Sequence, residues 1–251
     1  MKKTVRQFRD YSEWVLGQNS EDEGQFWKQL YEVEAPVLDM PTDFPRPQEQ
    51  SFNGTRTSLK IDKNLKRSIE KIARESGVTE YMILLSALMV TLSKYSRQDD
   101  IVIGSPIIGR THGDTESMIG MFVNTLAMRG RPERNKTFSE FLGEIKEMCL
   151  KAYDNQKYPL EELVEQLHIR RNPSRNPLFD VVMVLQNAED TKIELNGTKT
   201  EYMKNPGLSS MFDMTFEITM SDDTYNIELE YCTALYTKET ADRVLKNYVN
   251  I

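Results

Sequence analysis

Apolar and polar positions alternate with two different periods along this chain, and each change of period marks an element. Residues from Asp10 to about Glu34 repeat at helical spacing, with Trp14, Phe26, Trp27 and Leu30 on the apolar stripe. The stripe runs into APVLDMPTDFPRP, residues 35–47, where four prolines each remove an amide donor and restrict the residue before them. This predicts an extended, ordered connector, because its Leu38, Met40 and Phe44 call for burial. Thr55 to Ile61 alternates as a strand. Asp62 then caps a helix that Gly77 stops, and Thr79 caps a second one, EYMILLSALMVTLSKYS, apolar on nearly every side.

Ile101 to Gly104 is a short β-branched run, the pattern of a central strand. A polar loop from Ser105 to Glu116 follows, and then SMIGMFVNTL, residues 117–126, reads as another apolar strand. Thr137 caps a helix to about Asp154, Leu160 to Leu167 forms a short one, and Phe179 to Leu185 reads as a buried strand. Two alternating segments, FDMTFEITMSDD and YNIELEYCTALY, predict a hairpin, and Thr237 caps a last helix that runs to Ile251. Strands interleave with helices, so the expected class is α/β, with a mixed β-sheet flanked by helices. The expected core includes Leu84, Leu88, Ile101, Ile103, Phe122, Val182, Val184, Phe216 and Leu229. The chain opens on one helix and closes inside another, as a lobe cut from something longer would.

Composition narrows the function classes. Hydrophobic residues make up 39% and charged residues 28%, ordinary for a water-soluble globular protein. A net charge of −7 argues against nucleic acid as a partner. The first residues lack the apolar core of a signal peptide, and no apolar run reaches bilayer length, so a cytoplasmic location and no membrane partner are expected. Cys149 falls in a helical pattern and Cys232 in a strand pattern, so both read as small core residues.

The candidate chemistry is sparse. There is no HExxH or CxxC spacing, no GxSxG elbow, no GxGxxG and no Walker loop, so neither a metal site nor a bound cofactor is expected. His112 sits in a polar loop beside Arg110 and Asp114, either as a general base or, more plainly, hydrogen-bonded locally. Arg110 follows an apolar strand, where loops leave an α/β sheet and sites gather, or it is a solvated loop arginine. Asn124, at the end of an apolar run, either satisfies neighbouring backbone or lines a site. Arg175 lies between a turn and a buried strand and would be costly there without a carboxylate, while Asn176-Pro177 favours a turn into that strand. NQKYPLEEL either places Glu161 or Glu162 near a site or, as first-turn glutamates usually do, sets them to complement the helix dipole.

Six motifs taken in order carry more. FRDYSEW (from Phe8), LDMPTDFPRP (from Leu38), DIVIGSPIIGRTH (from Asp100), IGMFVNTL (from Ile119), NQKYPLEELVEQL (from Asn155) and RNPSRNPLFDVVMVLQN (from Arg171) closely resemble the core motifs of the condensation domains of nonribosomal peptide synthetases. The resemblance covers essentially all of residues 1–251. Departures are mild: Phe8 for a usual Tyr, Lys157 for a usual Asp, Leu160 for a common Phe, and Asn172 where an Asp often follows the Arg. The large departure is that the family's catalytic HHxxxDG is absent, with no His-His pair anywhere in this sequence.

The resemblance implies the carboxyl-terminal lobe of a condensation domain, one of two lobes that each resemble chloramphenicol acetyltransferase. It implies no catalytic residue in this fragment, which alone should be inactive. Arg110, His112, Met121, Asn124, Arg175 and Asn176 would support the tunnel between the lobes. Residues 109–122 would form its floor, and 195–210 would cross to the other lobe. The implied reaction is peptide-bond formation between thioesters held on the phosphopantetheine arms of carrier proteins. Implied partners are the amino-terminal lobe, peptidyl and aminoacyl carrier domains, and an adjacent adenylation domain. Two alternatives remain. One is an epimerisation domain of the same superfamily, which the GMFVNTL run disfavours; the other is a non-catalytic module that docks carrier proteins.

Overall fold

The computed structural model describes residues 6–18, 20–187, 198, 209–221 and 223–251. Helices α1 (Phe8–Leu16) and α2 (Glu21–Leu30) come first, and the connector leads to strand β1 (Gly54–Ile61). Helices α3 (Lys63–Ser76) and α4 (Glu80–Ser96) precede β2 (Ile101–Ile107) and β3 (Asn124–Gly130). Then follow α5 (Phe138–Asp154), α6 (Leu160–Gln166), β4 (Val181–Asn187), the hairpin β5 (Met214–Met220) and β6 (Tyr225–Cys232), and α7 (Lys238–Val249). The expected single helix over 10–34 is two, because Gly17 ends α1 and the polar residues after it do not continue the stripe.

The strands form one six-stranded mixed sheet in the order β1-β6-β5-β4-β2-β3. The β2–β4 and β4–β5 pairs are parallel and the remaining pairs antiparallel. Directly paired residues share a face: Thr57, Leu229 and Phe216 stand in one row, with Arg56, Glu230 and Thr215 in the adjacent row. Leu229 and Phe216 are fully buried, and Phe216 meets Tyr248 of α7 edge-on at 5.4 Å. Tyr248 in turn donates to the Leu84 carbonyl of α4, which locks two helices onto that face. The other face carries Arg56 among Glu217, Glu228 and Glu230 and stays half-exposed.

Every expected core residue is buried except Val184. Val184 pairs with Glu217, which places it on the half-exposed face. In the connector Leu38 and Met40 are buried, but Phe44 is exposed, on a stretch tied down by the Asp43 and Phe44 amides donating to the Leu235 carbonyl and the Asp43 carboxylate accepting from the Thr237 amide. The caps at Asp62, Thr79, Thr137 and Thr237 all form, the one at Thr137 as a reciprocal box with Glu140. Both cysteines are free and buried.

The expected strand over 117–126 begins only at Asn124, opposite Ile107. Upstream, Met118 and Phe122 turn inward while Ile119, Met121 and Val123 point out, so the run makes no ladder. Most of the expected crossing segment, 195–210, lies outside the described residues. At its end Ser209 bridges Asn53, and the Ser210 amide donates to Phe52.

Candidate functional site

β2 and β4 run parallel, with Gly104 opposite Val182. The loop after β2, carrying Arg110, His112 and Met121, therefore leaves the carboxyl end of that pair, and Asn124 begins β3 beside it. Arg175 and Asn176 precede β4 and sit at the amino end. The six candidate residues form two groups at opposite ends of the sheet rather than one constellation.

The first group is built on an aromatic stack. Gly109 has a left-handed backbone (φ +66°), and a Cβ there would stand 1.9 Å from the Phe122 carbonyl oxygen, so only glycine closes this loop. Phe122 is thereby drawn under the loop, where Phe8 meets it edge-on at 5.1 Å and Tyr11 at 4.8 Å. Gly120 makes room for the Phe8 ring; a Cβ would approach it to 2.2 Å. The Arg110 guanidinium lies 4.1 Å from the Phe122 ring centroid, and its Nη1 donates to the Thr115 carbonyl. Among the described residues no carboxylate pairs with Arg110. It is half-buried, cationic, and supplied with donors it does not use.

His112 is exposed; its Nδ1 accepts from the Asp114 amide at 3.4 Å, and its ring meets Trp14 at 6.2 Å. Asp114 pairs with Arg6 at 3.0 Å, so no carboxylate orients the imidazole for base work. Lys157 stands 5.8 Å over the other side of this patch, on the Trp14 ring. Around the loop Ile108, Ile119, Met121 and Val123 are exposed, with Ile119 at 96% and Met121 at 77%. A strip this apolar and open on a loop marks a contact surface.

Asn124 is fully occupied. Its Nδ2 donates to the carbonyls of Gln156 (2.9 Å) and Tyr158 (2.8 Å), and its Oδ1 accepts from the amides of Thr125 and Leu160. It holds the α5–α6 turn against β3 and has no donor left for a ligand.

The second group is a buried ion cluster. Arg175 donates to Asp180 and to the Leu38 carbonyl (3.0 Å), and Arg46 grips Asp213 with both terminal nitrogens. Arg175 thus has the carboxylate that its position demands, from inside FDVVMVL. Sequence reading missed Asp180, Asp213 and Arg46. The signal was an acidic residue inside an apolar strand, five residues after the arginine it pairs with. Asn176 donates to the Met211 carbonyl at 3.0 Å. This cluster walls an open cleft of about 2040 Å³ that is also lined by Leu38, Val164, Leu167, Arg171 and Phe179. Among the described residues no His, Cys, Asp and Glu group is arranged to hold a metal ion, and no single helix is long and apolar enough to cross a membrane.

A six-stranded mixed sheet with helices on one face, and an arginine-bearing loop leaving its parallel centre, defines an α/β lobe of the chloramphenicol acetyltransferase type. The condensation-domain family profile matches residues 1–251, and the chain belongs to that family. It is 44% identical to bacitracin synthase 3 of Bacillus licheniformis over 255 residues, covering 100% of this chain and 4% of the relative. To gramicidin S synthase 2 of Brevibacillus brevis it is 44% identical, covering 98% and 6%. The chain thus spans a small part of the relatives it matches.

Solved structures share the fold. The X-domain from teicoplanin biosynthesis superposes with a TM-score of 0.88 at 22% identity, covering 100% of this chain and 60% of that one. The condensation domain of the Monacolin K polyketide synthase gives 0.80 at 21%, covering 97% and 58%. A four-domain nonribosomal peptide synthetase bound to AMP and glycine gives 0.79 at 22%, covering 93% and 20%.

Proposed function

We propose that this chain is the carboxyl-terminal lobe of a condensation domain that joins two carrier-bound thioesters through a peptide bond. In that reaction the amine of the acceptor attacks the donor thioester carbonyl. A C–N bond forms, the C–S bond breaks, and the amine proton ends on the leaving thiolate. The histidine that orients or deprotonates the amine belongs to the HHxxxDG of the opposite lobe, since residues 1–251 contain no His-His pair. This lobe supplies tunnel wall and floor for two phosphopantetheine arms, with residues 109–122 as the floor, 195–210 as the crossing segment and Met121 facing the junction. A cytoplasmic location and an adjacent adenylation domain belong to the same reading.

The observation that carries it is Arg110, a half-buried guanidinium laid on Phe122, with no carboxylate among the described residues, beside an exposed apolar strip. That arrangement supports reading Arg110 as half of an interlobe ion pair, which the Asp of HHxxxDG in the opposite lobe would complete in a partly desolvated setting. In the intact condensation domain with its carriers, Arg110→Ala lowers product formation by roughly tenfold or more, the worth of one charge-assisted bond, while carrier binding is unchanged. Equal activity of variant and parent removes the role. The 251-residue chain alone gives no turnover above buffer.

A second reading, a carrier-docking module without catalysis, is favoured by the same missing His-His pair. The coding sequence upstream of Met1 separates the two: an HHxxxDG there supports the enzyme, and unrelated sequence supports the module.

A further inference from the structure

The ion cluster at the amino end of β4 has features that holding the fold together does not require. Asp180 is 4% exposed, and its Oδ1 has no hydrogen-bond partner among the described residues, although its Oδ2 accepts from Arg175. The Tyr236 hydroxyl, the other buried side-chain oxygen without a partner among the described residues, lies within electrostatic reach of Asp180, Arg175, Asp213 and Arg46. A bare buried carboxylate oxygen is expensive. Two residues before Asp180, Leu178 adopts a left-handed backbone with φ +67°, a conformation that leucine rarely takes. Leu178 and Asp180 both line the 2040 Å³ cleft.

We propose that Asn176–Asp180 is a proton-linked flap on this cleft, closed while Asp180 holds a proton and opened when the carboxylate, on losing it, is hydrated from the cleft. The charged groups facing Asp180 come from every element packed on it. Arg175 lies on its own loop, Arg46 on the connector, Asp213 just before β5, and Tyr236 just after β6. Burial, and then the charge of Asp213, push the Asp180 carboxyl from its ordinary 3.8 up to about 6, against the pull of Arg175 and Arg46. In the closed form a proton on Asp180 removes the buried charge that makes the bare Oδ1 costly, while Oδ2 still accepts from Arg175. In the open form water satisfies Oδ1, Leu178 relaxes to an ordinary backbone, and the proton leaves.

The sign follows from linkage. The closed form binds more protons than the open one, so its stability falls as pH rises from the ordinary carboxyl value through about 6. Arg46–Asp213 and the ladder bonds of Asp213 and Met214 to the Asp180 carbonyl remain, so the motion is confined to the turn. This inference does not depend on the condensation reading, since it concerns the opposite end of the sheet from Arg110.

Native-state hydrogen exchange on the full chain tests it. The Phe179 amide, bonded within the turn to the Pro177 carbonyl, is followed across pH, with α4 amides as an internal reference for chemical exchange. Corrected opening of the turn increases about tenfold between about pH 5 and about pH 7 relative to α4. Asp180→Asn, which cannot titrate, flattens that profile. Leu178→Gly removes the backbone strain, so it slows opening at every pH and keeps the pH dependence; it also serves if the Asn variant does not fold. A turn whose exchange parallels α4 across this range, or a Leu178→Gly variant that opens more readily than the parent, overturns the flap.

Discussion

The Arg110 guanidinium lies 4.1 Å from the centroid of the Phe122 ring, the closest cation–aromatic approach among the described residues. The ring is itself fixed by Phe8 and Tyr11 of α1, so the first helix sets where the cation points. Truncating Phe122→Ala should cost about 2–3 kcal/mol in chemical denaturation, at or just below the range for a buried phenylalanine because the ring lies in a loop. In the intact domain Phe122→Leu should keep most of that stability while weakening any effect that depends on Arg110. Activity of Phe122→Leu equal to the parent, at matched stability, would show that the ring only fills space.

Asn124 offers a sharper test of structure against chemistry. Its amide satisfies two carbonyls of the α5–α6 turn while its oxygen takes two amides. Asn124→Ala should lose roughly 2–3 kcal/mol, because it strips partners from buried backbone. Asn124→Asp should lose more, since it replaces the donor with a carboxylate oxygen that faces the Gln156 and Tyr158 carbonyl oxygens with no hydrogen to share. Thermal melts rank the variants, and amide exchange at Tyr158 and Leu160 localises the damage; an undisturbed turn in either variant would count against the assignment.

Arg129 is 4% exposed and closes the carboxyl end of α2, donating to the Leu30 and Val33 carbonyls as well as to Asp100. Arg129→Ala leaves Asp100 and the Leu30, Val33 and Glu34 carbonyls near a hole and should cost about 3–5 kcal/mol. Arg129→Lys cannot reach carboxylate and carbonyls together and should recover less than half of that loss. Urea unfolding of the three proteins measures it.

The thiols provide a control on the core. Burial pushes the Cys149 thiol up to about 12, and Cys232 is 4% exposed with its Sγ–H directed at the Ser51 carbonyl. Neither should react with an aromatic disulfide in the native protein at neutral pH, and both should react once the chain is unfolded. Rapid native labelling of either would mean that the core opens there.

Asp43 should show the usual acid behaviour of a capping carboxylate. The Thr237 amide, with the Thr240 and Thr237 hydroxyls, holds its carboxyl below the ordinary range. A lowered folded value means that its contribution is present above the unfolded value and disappears as pH falls through the folded one. The melting-temperature difference between parent and Asp43→Asn should therefore be largest near neutrality and shrink as pH falls to about 3. A difference independent of pH would indicate packing rather than charge.

Element by element, the local pattern was enough wherever one face of an element decided its fate. The caps at Asp62, Thr79, Thr137 and Thr237, the β5–β6 hairpin, the all-apolar α4 and the α/β class follow from period and cap chemistry, which act over a few residues. The ordered motifs carried the family, because they preserve loop chemistry that periodicity does not register. Tertiary structure decided the rest. Apolar content alone does not distinguish a ladder strand from a loop presenting Ile119 and Met121 outward; Gly109 closing on the Phe122 carbonyl makes that choice. Nor did the chain order reveal that Arg110 and Arg175 stand at opposite ends of the sheet. That separation comes from the parallel pairing of β2 with β4, a contact between segments far apart in sequence. The parallel pairing of β4 with β5 likewise brings Asp180 and Asp213 together, and arginines from two loops complete the buried cluster.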